Sequence, residues 1–175
     1  MTQEIYLRSL SELRRSQNKL EKEIGIKISH IGKNVFIEGE AQNEFLGLSI
    51  LEAINLGFSA EKALLLKDEN MILHILDIKT ITKRKDLRTV RGRVIGSLGK
   101  TKENIENLSD CLISIHDNNI GIIGEIGCID EAIIALTSIV QGSKQGNIYA
   151  RLERKKKERR LKPSDSFKNE LKLKK

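Results

Sequence analysis

The chain repeats itself without a gap. At an offset of 85 residues, Arg8 corresponds to Arg93, Glu21 to Glu106, Ser29 to Ser114 and Asn34 to Asn119. Gly39-Glu40 corresponds to Gly124-Glu125, and Leu51, Ile54 and Gly57 to Leu136, Ile139 and Gly142. Apolar positions fall into the same register: Leu10 with Ile95, Leu13 with Leu98, Leu20 with Ile105, Val35 with Ile120, and Ile37 with Ile122. A repeat of this kind predicts two copies of one supersecondary unit. The fold class that follows is α+β, with two βααββα units in tandem.

The second copy shows the pattern more clearly. Leu87 to Arg91 reads as an edge strand and Lys100 to Leu108 as a short helix. Leu112 to Ile115 and Ile120 to Gly124 are β-type runs joined by the turn residues Asp117-Asn118-Asn119. Asp130 to Gln141 reads as a helix closed by Gly142. In the first copy, Ser49 to Leu56 is the matching last helix, and Ser59 is an N-cap for the segment that follows. Met71 to Ile78 is a strand-like run expected to glue the two units together. The expected boundaries are 1–58 for the first unit, 59–83 for a connecting helix and strand, and 84–146 for the second unit. Residues 147–175 are expected to form a basic helix and, after Pro163, a disordered tail.

The chemistry concentrates in Arg91-Gly92-Arg93-Val94-Ile95-Gly96-Ser97-Leu98-Gly99-Lys100-Thr101-Lys102. Gly96 and Gly99 frame a GxxG loop that runs into a helix. Glycine lets another backbone approach closely, and the free N–H groups of a helix N-terminus favour an anion. Arg91, Arg93, Lys100 and Lys102 add positive charge. Together these features predict a loop that holds a phosphate chain. Gly99-Lys100-Thr101 is not a nucleotide P-loop, because GxxxxGK[ST] would require a glycine where Val94 stands. In the first copy Ser11 and Arg14 replace the two glycines and Glu12 lies between them, so that unit is read as degenerate.

Charge placement agrees with the loop. The net charge is +7 over 175 residues. Arg151 to Lys175 holds 12 Lys or Arg against 4 Asp or Glu, a net of +8, so the first 150 residues sum to −1. A polyanion is therefore expected at the loop and the C-terminal segment, with Arg151, Arg154 and Lys155 as contacts. Ile95 and Ile113 are expected to supply an apolar floor for bases, beside Gly96, Ser97, Leu98 and Gly99. With only two Tyr, four Phe and no Trp, a reader that stacks many bases on aromatic rings is excluded. Cys111 and Cys128 form no CxxC, and His30, His74 and His116 have no ligand spacing, so no metal or cofactor is expected. Glu103 and Glu106 are three apart on the helix after the loop, but no nucleophile or base accompanies them, so no catalysis is expected. No apolar run reaches membrane-spanning length. The N-terminus carries no signal-peptide pattern, and a cytoplasmic protein with reduced thiols is expected.

The order of elements and the GxxG loop resemble a type I KH domain, whose loop clamps about four nucleotides of single-stranded RNA or DNA. The tandem layout narrows the resemblance. Leu56 to Leu64, Arg93 to Glu106, Ile120 to Gly124 and Ile148 to Arg154 approach the patterns ARGFSPEKAL, RIIGKxGKTRxxIE, VAIIG and VYxxLER of the Partner of Nob, or Dim-two, family, in its compact archaeal form. The chain departs from that pattern at Ser97, where a lysine or arginine is usual, and at Lys144-Gln145, where a Pro-His pair is common. The resemblance implies an RNA-binding assembly factor for the small ribosomal subunit. Its expected partners are the single-stranded 3′ region of small-subunit ribosomal RNA, the pre-ribosomal particle and a Nob-type endonuclease. A generic KH regulator of single-stranded RNA or DNA is the alternative.

Overall fold

The computed structural model describes residues 3–161. The first unit comprises β1 (Gln3–Tyr6), α1 (Ser11–Ile24), β2 (Lys27–Ile31), β3 (Asn34–Glu38) and α2 (Ala41–Asn55). A short helix α3 (Ala60–Ala63) and a 3-10 turn over Leu64–Lys67 lead to the second unit. That unit comprises β4 (Met71–Asp77), α4 (Ile78–Ile81), α5 (Leu87–Ile95), α6 (Lys100–Ser109), β5 (Leu112–His116), β6 (Asn119–Glu125) and α7 (Ile126–Gln141). A C-terminal helix α8 (Gln145–Leu161) closes the described chain. Each unit has a three-stranded antiparallel sheet, ordered β1-β3-β2 and β4-β6-β5. The fold is α+β. No helix among the described residues is long and apolar enough to cross a membrane.

The sequence repeat is a structural repeat. Ile28 pairs with Ile37 in the first sheet, and Ile113 pairs with Ile122 in the second, 85 residues on. In each unit a helical glutamate accepts the backbone N–H of the edge strand: Glu21 Oε1 from Ile28 at 2.8 Å and Glu106 Oε1 from Ile113 at 2.7 Å. Those carboxylates occupy an edge donor that would otherwise invite another strand. The glycines Gly39 and Gly124 also repeat a contact, since a β-carbon on either would press against the residue at the matching position, Ile26 or Cys111.

The repeat breaks at the first strand. Gln3 and His74 face the equivalent residues Ile37 and Ile122, an offset of only 71. The difference between offsets of 85 and 71 is 14 residues, present in the second unit and missing from the first. The first unit is therefore βαββα, with one helix where βααββα was expected. Ser11 to Arg14 is the opening turn of α1 and forms no loop of its own.

Two expectations change with this. Leu87 to Arg91 is helix, not an edge strand. Asp86 caps it by accepting the Thr89 N–H at 3.2 Å, and Val90 and Val94, four apart, are buried. The strand in question is Met71–Asp77, paired along its whole length with β6. The second unit thus begins at residue 71 rather than 84, and the first strand of its sheet had been assigned to the connector.

The second sheet is covered on both faces. Ile113, Ile120 and Ile122 pack with Val90, Val94, Ile105 and Leu136 of the helices. On the other face Ile123, Leu73, Ile75 and Leu112 join the core of the first unit, beside Leu56 and Phe58. Ser114 Oγ donates to the Leu56 carbonyl at 2.7 Å, and an Arg8–Asp117 ion pair crosses the same junction. Two faces buried in this way make the two units one packed body. The Pro163-to-Lys175 tail lies outside the described residues.

Candidate nucleic-acid interface

The loop expected to hold phosphate sits between α5 and α6 and is built by backbone geometry. α5 ends at Ile95, where the Gly96 N–H still reaches the Gly92 carbonyl at 2.8 Å. Gly96 then takes φ 76°, ψ 174°, a region open essentially to glycine alone. A β-carbon there would also collide with the Thr101 side chain and backbone nitrogen. Gly99 has φ 77° and ψ 5°, and no atom lies within 4 Å of where its β-carbon would stand. Gly96 is required by the fold. Gly99 leaves a bare backbone surface at the N-terminus of α6, where no side chain caps the helix and the Gly99 and Lys100 N–H groups turn back to the Gly96 and Ser97 carbonyls.

Leu98 forms the tip of the loop. It is 97% exposed and holds φ 53°, ψ 27°. An aliphatic side chain in the left-handed region costs about 1 kcal/mol or more, and nothing in the fold surrounds this one. Ile95, 40% exposed, lies beside it in sequence. The expected outcome for Leu98→Asn is a gain of about 1 kcal/mol in stability, because Asn tolerates this backbone, together with roughly five-fold weaker RNA binding from the lost apolar contact. Thermal melting and an RNA titration of the same variant test this. A fall in melting temperature would show that the leucine is held by the fold rather than offered to a ligand.

The surrounding cations divide by partner. The Lys100 side chain is exposed and has no hydrogen bond or ion pair among the described residues. Lys102 reaches Glu106 at 3.5 Å. Arg93 donates to the Ser143 carbonyl at 3.2 Å, just past the C-terminus of α7, where a cation is favoured. Arg91 donates to the Asp117 carbonyl at 3.1 Å, in the β5–β6 turn. Ser97 is exposed. Ile113 is 2% exposed and belongs to the core, so it cannot be the expected floor; of the two, only Ile95 is exposed.

α8 divides in the same way. Ile148 and Leu152 are buried against the second unit. Arg151 lies 3.5 Å from Glu131, and Lys155 3.1 Å from Glu158. Lys156 and Arg159 converge on Asp110, at 2.6 and 3.1 Å, and also on the last carbonyls of α6. Burial alone would raise the Asp110 carboxyl, but hydrogen bonds from Lys156 and Arg159 outweigh it and hold the group below the usual range. Part of the basic run therefore fastens α8 to α6. Arg154 is exposed and has no partner among the described residues.

Two residues not picked out by the sequence hold the loop. Thr101 is 3% exposed and packs against Gly96. Gln145 Nε2 donates to the Thr101 hydroxyl at 3.0 Å and to the Arg93 carbonyl at 3.3 Å, which ties both sides of the loop to the start of α8. Thr101 follows Gly99 by two residues and could have been noticed, whereas Gln145, 44 residues from Thr101, stood out in the sequence only as a departure from the family pattern. Burial pushes the Cys111 thiol up to about 11, consistent with a core residue.

A model of the eukaryotic-type KH domain (KH-domain type I), the second such domain of PNO1, matches residues 72–157. The match begins within β4, where the second sheet begins. A KH domain-containing protein of Methanocaldococcus jannaschii is 31% identical over 144 residues, 78% of this chain and 63% of that protein. The pre-rRNA-processing protein pno1 of Schizosaccharomyces pombe is 36% identical over 109 residues, 61% of this chain and 45% of that protein. The chain thus spans about half the length of the curated relatives it matches. Among solved structures, the a/eIF2alpha–aDim2p–rRNA complex of Pyrococcus horikoshii contains a chain that superposes with a TM-score of 0.83 and 28% identity, over 90% of this chain and 95% of that one. The second unit, over residues 72–157, thus belongs to the Pno1 type of type I KH domains, and the chain as a whole has the fold of Dim2p from Pyrococcus horikoshii.

Proposed function

We propose that this protein is a non-catalytic RNA-binding factor of small-subunit ribosome biogenesis. The GxxG loop of its second unit clamps a single strand from the 3′ region of small-subunit ribosomal RNA and presents it to a Nob-type endonuclease. The observation that carries the reading is the open, positive-φ backbone of Gly99 at the uncapped start of α6, beside the unpaired Lys100. A phosphate there would meet the positive end of a helix dipole, the N–H groups of the first turn and one cation together. The Pyrococcus rRNA complex and the pre-rRNA-processing relatives support RNA as the ligand. Gly96, Ser97, Leu98, Gly99, Lys100 and Ile95 form the contact, with Lys102, Arg91 and Arg93 around it. Arg154, and Arg151 and Lys155 once released from their acidic partners, extend it along α8.

Affinity for a ribosomal 3′-end oligonucleotide, compared with a scrambled RNA and with DNA, tests the reading. Equal affinity for all three would favour the generic KH regulator. Salt dependence tests the contact itself. For single strands, log K falls with log salt by about 0.7 per phosphate neutralised. Lys100→Ala should lower the slope by about that amount, and Lys102→Ala by less, because Glu106 already holds its ammonium group. An unchanged slope in Lys100→Ala would place the strand elsewhere.

A further inference from the structure

The junction between the two units contains a polar cavity of about 400 Å³, separate from the loop. Three cations line it from three elements: Arg8 from the turn after β1, Lys79 from α4 and Arg91 from α5. Asp77, Asp117, Asn118 and Asn119 complete the polar wall. Both carboxylates are already engaged. Asp77 Oδ1 accepts the Lys79 backbone N–H at 2.8 Å, and Asp117 pairs with Arg8. Arg91 donates to the turn through one nitrogen, Nη1, to the Asp117 carbonyl and the Asn118 side-chain oxygen.

The cavity and the loop lie along the same helix, α5. Arg91 and Ile95 are four residues apart on α5, so they share one face of that helix, about 6 Å apart along its axis. Ile95 borders Gly96. A strand held at the loop and running along this face of α5 would reach the cavity with its next phosphates. The first unit has no GxxG loop, yet its Arg8 stands at this point.

We infer that the cavity lined by Arg8, Lys79 and Arg91 is a second subsite, which takes a phosphodiester group of the same RNA strand just beyond the nucleotides held by the GxxG loop. The inference rests on the proposed RNA-binding role. The arriving phosphate exchanges with Asp117 for the Arg8 guanidinium. Asp117 competes with the ligand and lowers its affinity. The first unit, on this view, is a contributor to the binding path as well as a scaffold.

RNA length provides the test. The full chain is titrated with 4- and 8-nucleotide single-stranded RNAs at several salt concentrations, and each variant's melting temperature is recorded. Arg8→Ala combined with Lys79→Ala should weaken the 8-mer about five-fold, as expected for two exposed charge contacts, and lower its salt slope by about 1.4. Binding of the 4-mer should stay at the wild-type level. Asp117→Asn keeps a residue that tolerates φ +50°, and it should strengthen the 8-mer and leave the 4-mer unchanged. An 8-mer that binds the double variant as tightly as wild type overturns the inference. So does an equal loss for both lengths with a lowered melting temperature, which would make Arg8 a structural fastener only. Gly99→Asp serves as the control for the loop. If it leaves 4-mer binding intact, the proposed RNA-binding reading fails, whatever the cavity does.

Discussion

Gly99→Asp should reduce RNA affinity about a hundred-fold while the protein remains folded. The two glycines of the loop look equivalent in sequence and are not equivalent in the structure. Gly99 lies in the left-handed region with open space around the missing β-carbon, and aspartate is among the few residues that adopt this backbone readily. The folding cost is about 1 kcal/mol, or a fall of roughly 2–4 °C in melting temperature for a chain of this size. The binding cost is larger. A carboxylate would stand where the phosphate approaches the α6 N-terminus, and it would itself satisfy the N–H groups meant for the ligand. Losing charge-assisted hydrogen bonds of that kind costs about 2–3 kcal/mol. Gly96→Ala should behave in the opposite way. Its β-carbon would meet Thr101 and its backbone is closed to alanine, so the loss should appear first in stability. Melting curves and RNA titrations on both variants separate the two glycines. Equal behaviour would mean that the loop is only a turn.

The sequence made much of this readable, for a reason that lies in the repeat. The offset of 85 survives wherever both units use the same contact: Glu21 and Glu106 on an edge strand, Gly39 and Gly124 against the facing residue, Gly57 and Gly142 after the last helix. It fails where the second unit carries α5 and the GxxG loop and the first does not. Carried backwards past Ser11, the offset would set β1 against Leu87–Arg91, a segment that is helical. The strand that belongs there, Met71–Asp77, pairs with β6 at Asn119–Glu125, too far along the chain for local pattern to assign. Charge was legible as composition but not as partnership. Arg91, Arg93, Lys156 and Arg159 all look like phosphate ligands in a sequence, yet each has a carbonyl or carboxylate partner in the fold. Ile113 was misplaced because the second sheet is covered on both faces, and such strands lose the alternation that tells core from surface.

That double coverage leads to the second large effect, at the junction of the units. Gly121 faces the first unit, and a β-carbon on it would stand 2.8 Å from Phe58 Cε2 and 3.0 Å from Leu56 Cδ1. Both side chains are nearly fully buried, at 4% and 6% exposure. Gly121→Val must therefore push the sheet away from the first unit or drive Phe58 out of its rotamer, at a cost of about 1–3 kcal/mol. Phe58→Ala removes the obstruction and leaves a cavity, at about 3–5 kcal/mol. The two costs should not add. In the double variant the valine fills part of the space left by the ring, and the combined loss should fall short of the sum by about 1–2 kcal/mol, as for residues in direct contact. Urea denaturation of the wild type, both single variants and the double variant measures that coupling. It also bears on RNA binding, because Ser114 and Asp117, which fasten the second unit to Leu56 and Arg8, lie on the strand and turn beside Gly121. Gly121→Val should therefore loosen the Arg8–Asp117 pair and weaken long RNAs more than short ones. Fully additive costs would mean that Phe58 does not hold the second sheet, and that the two units are joined through other contacts.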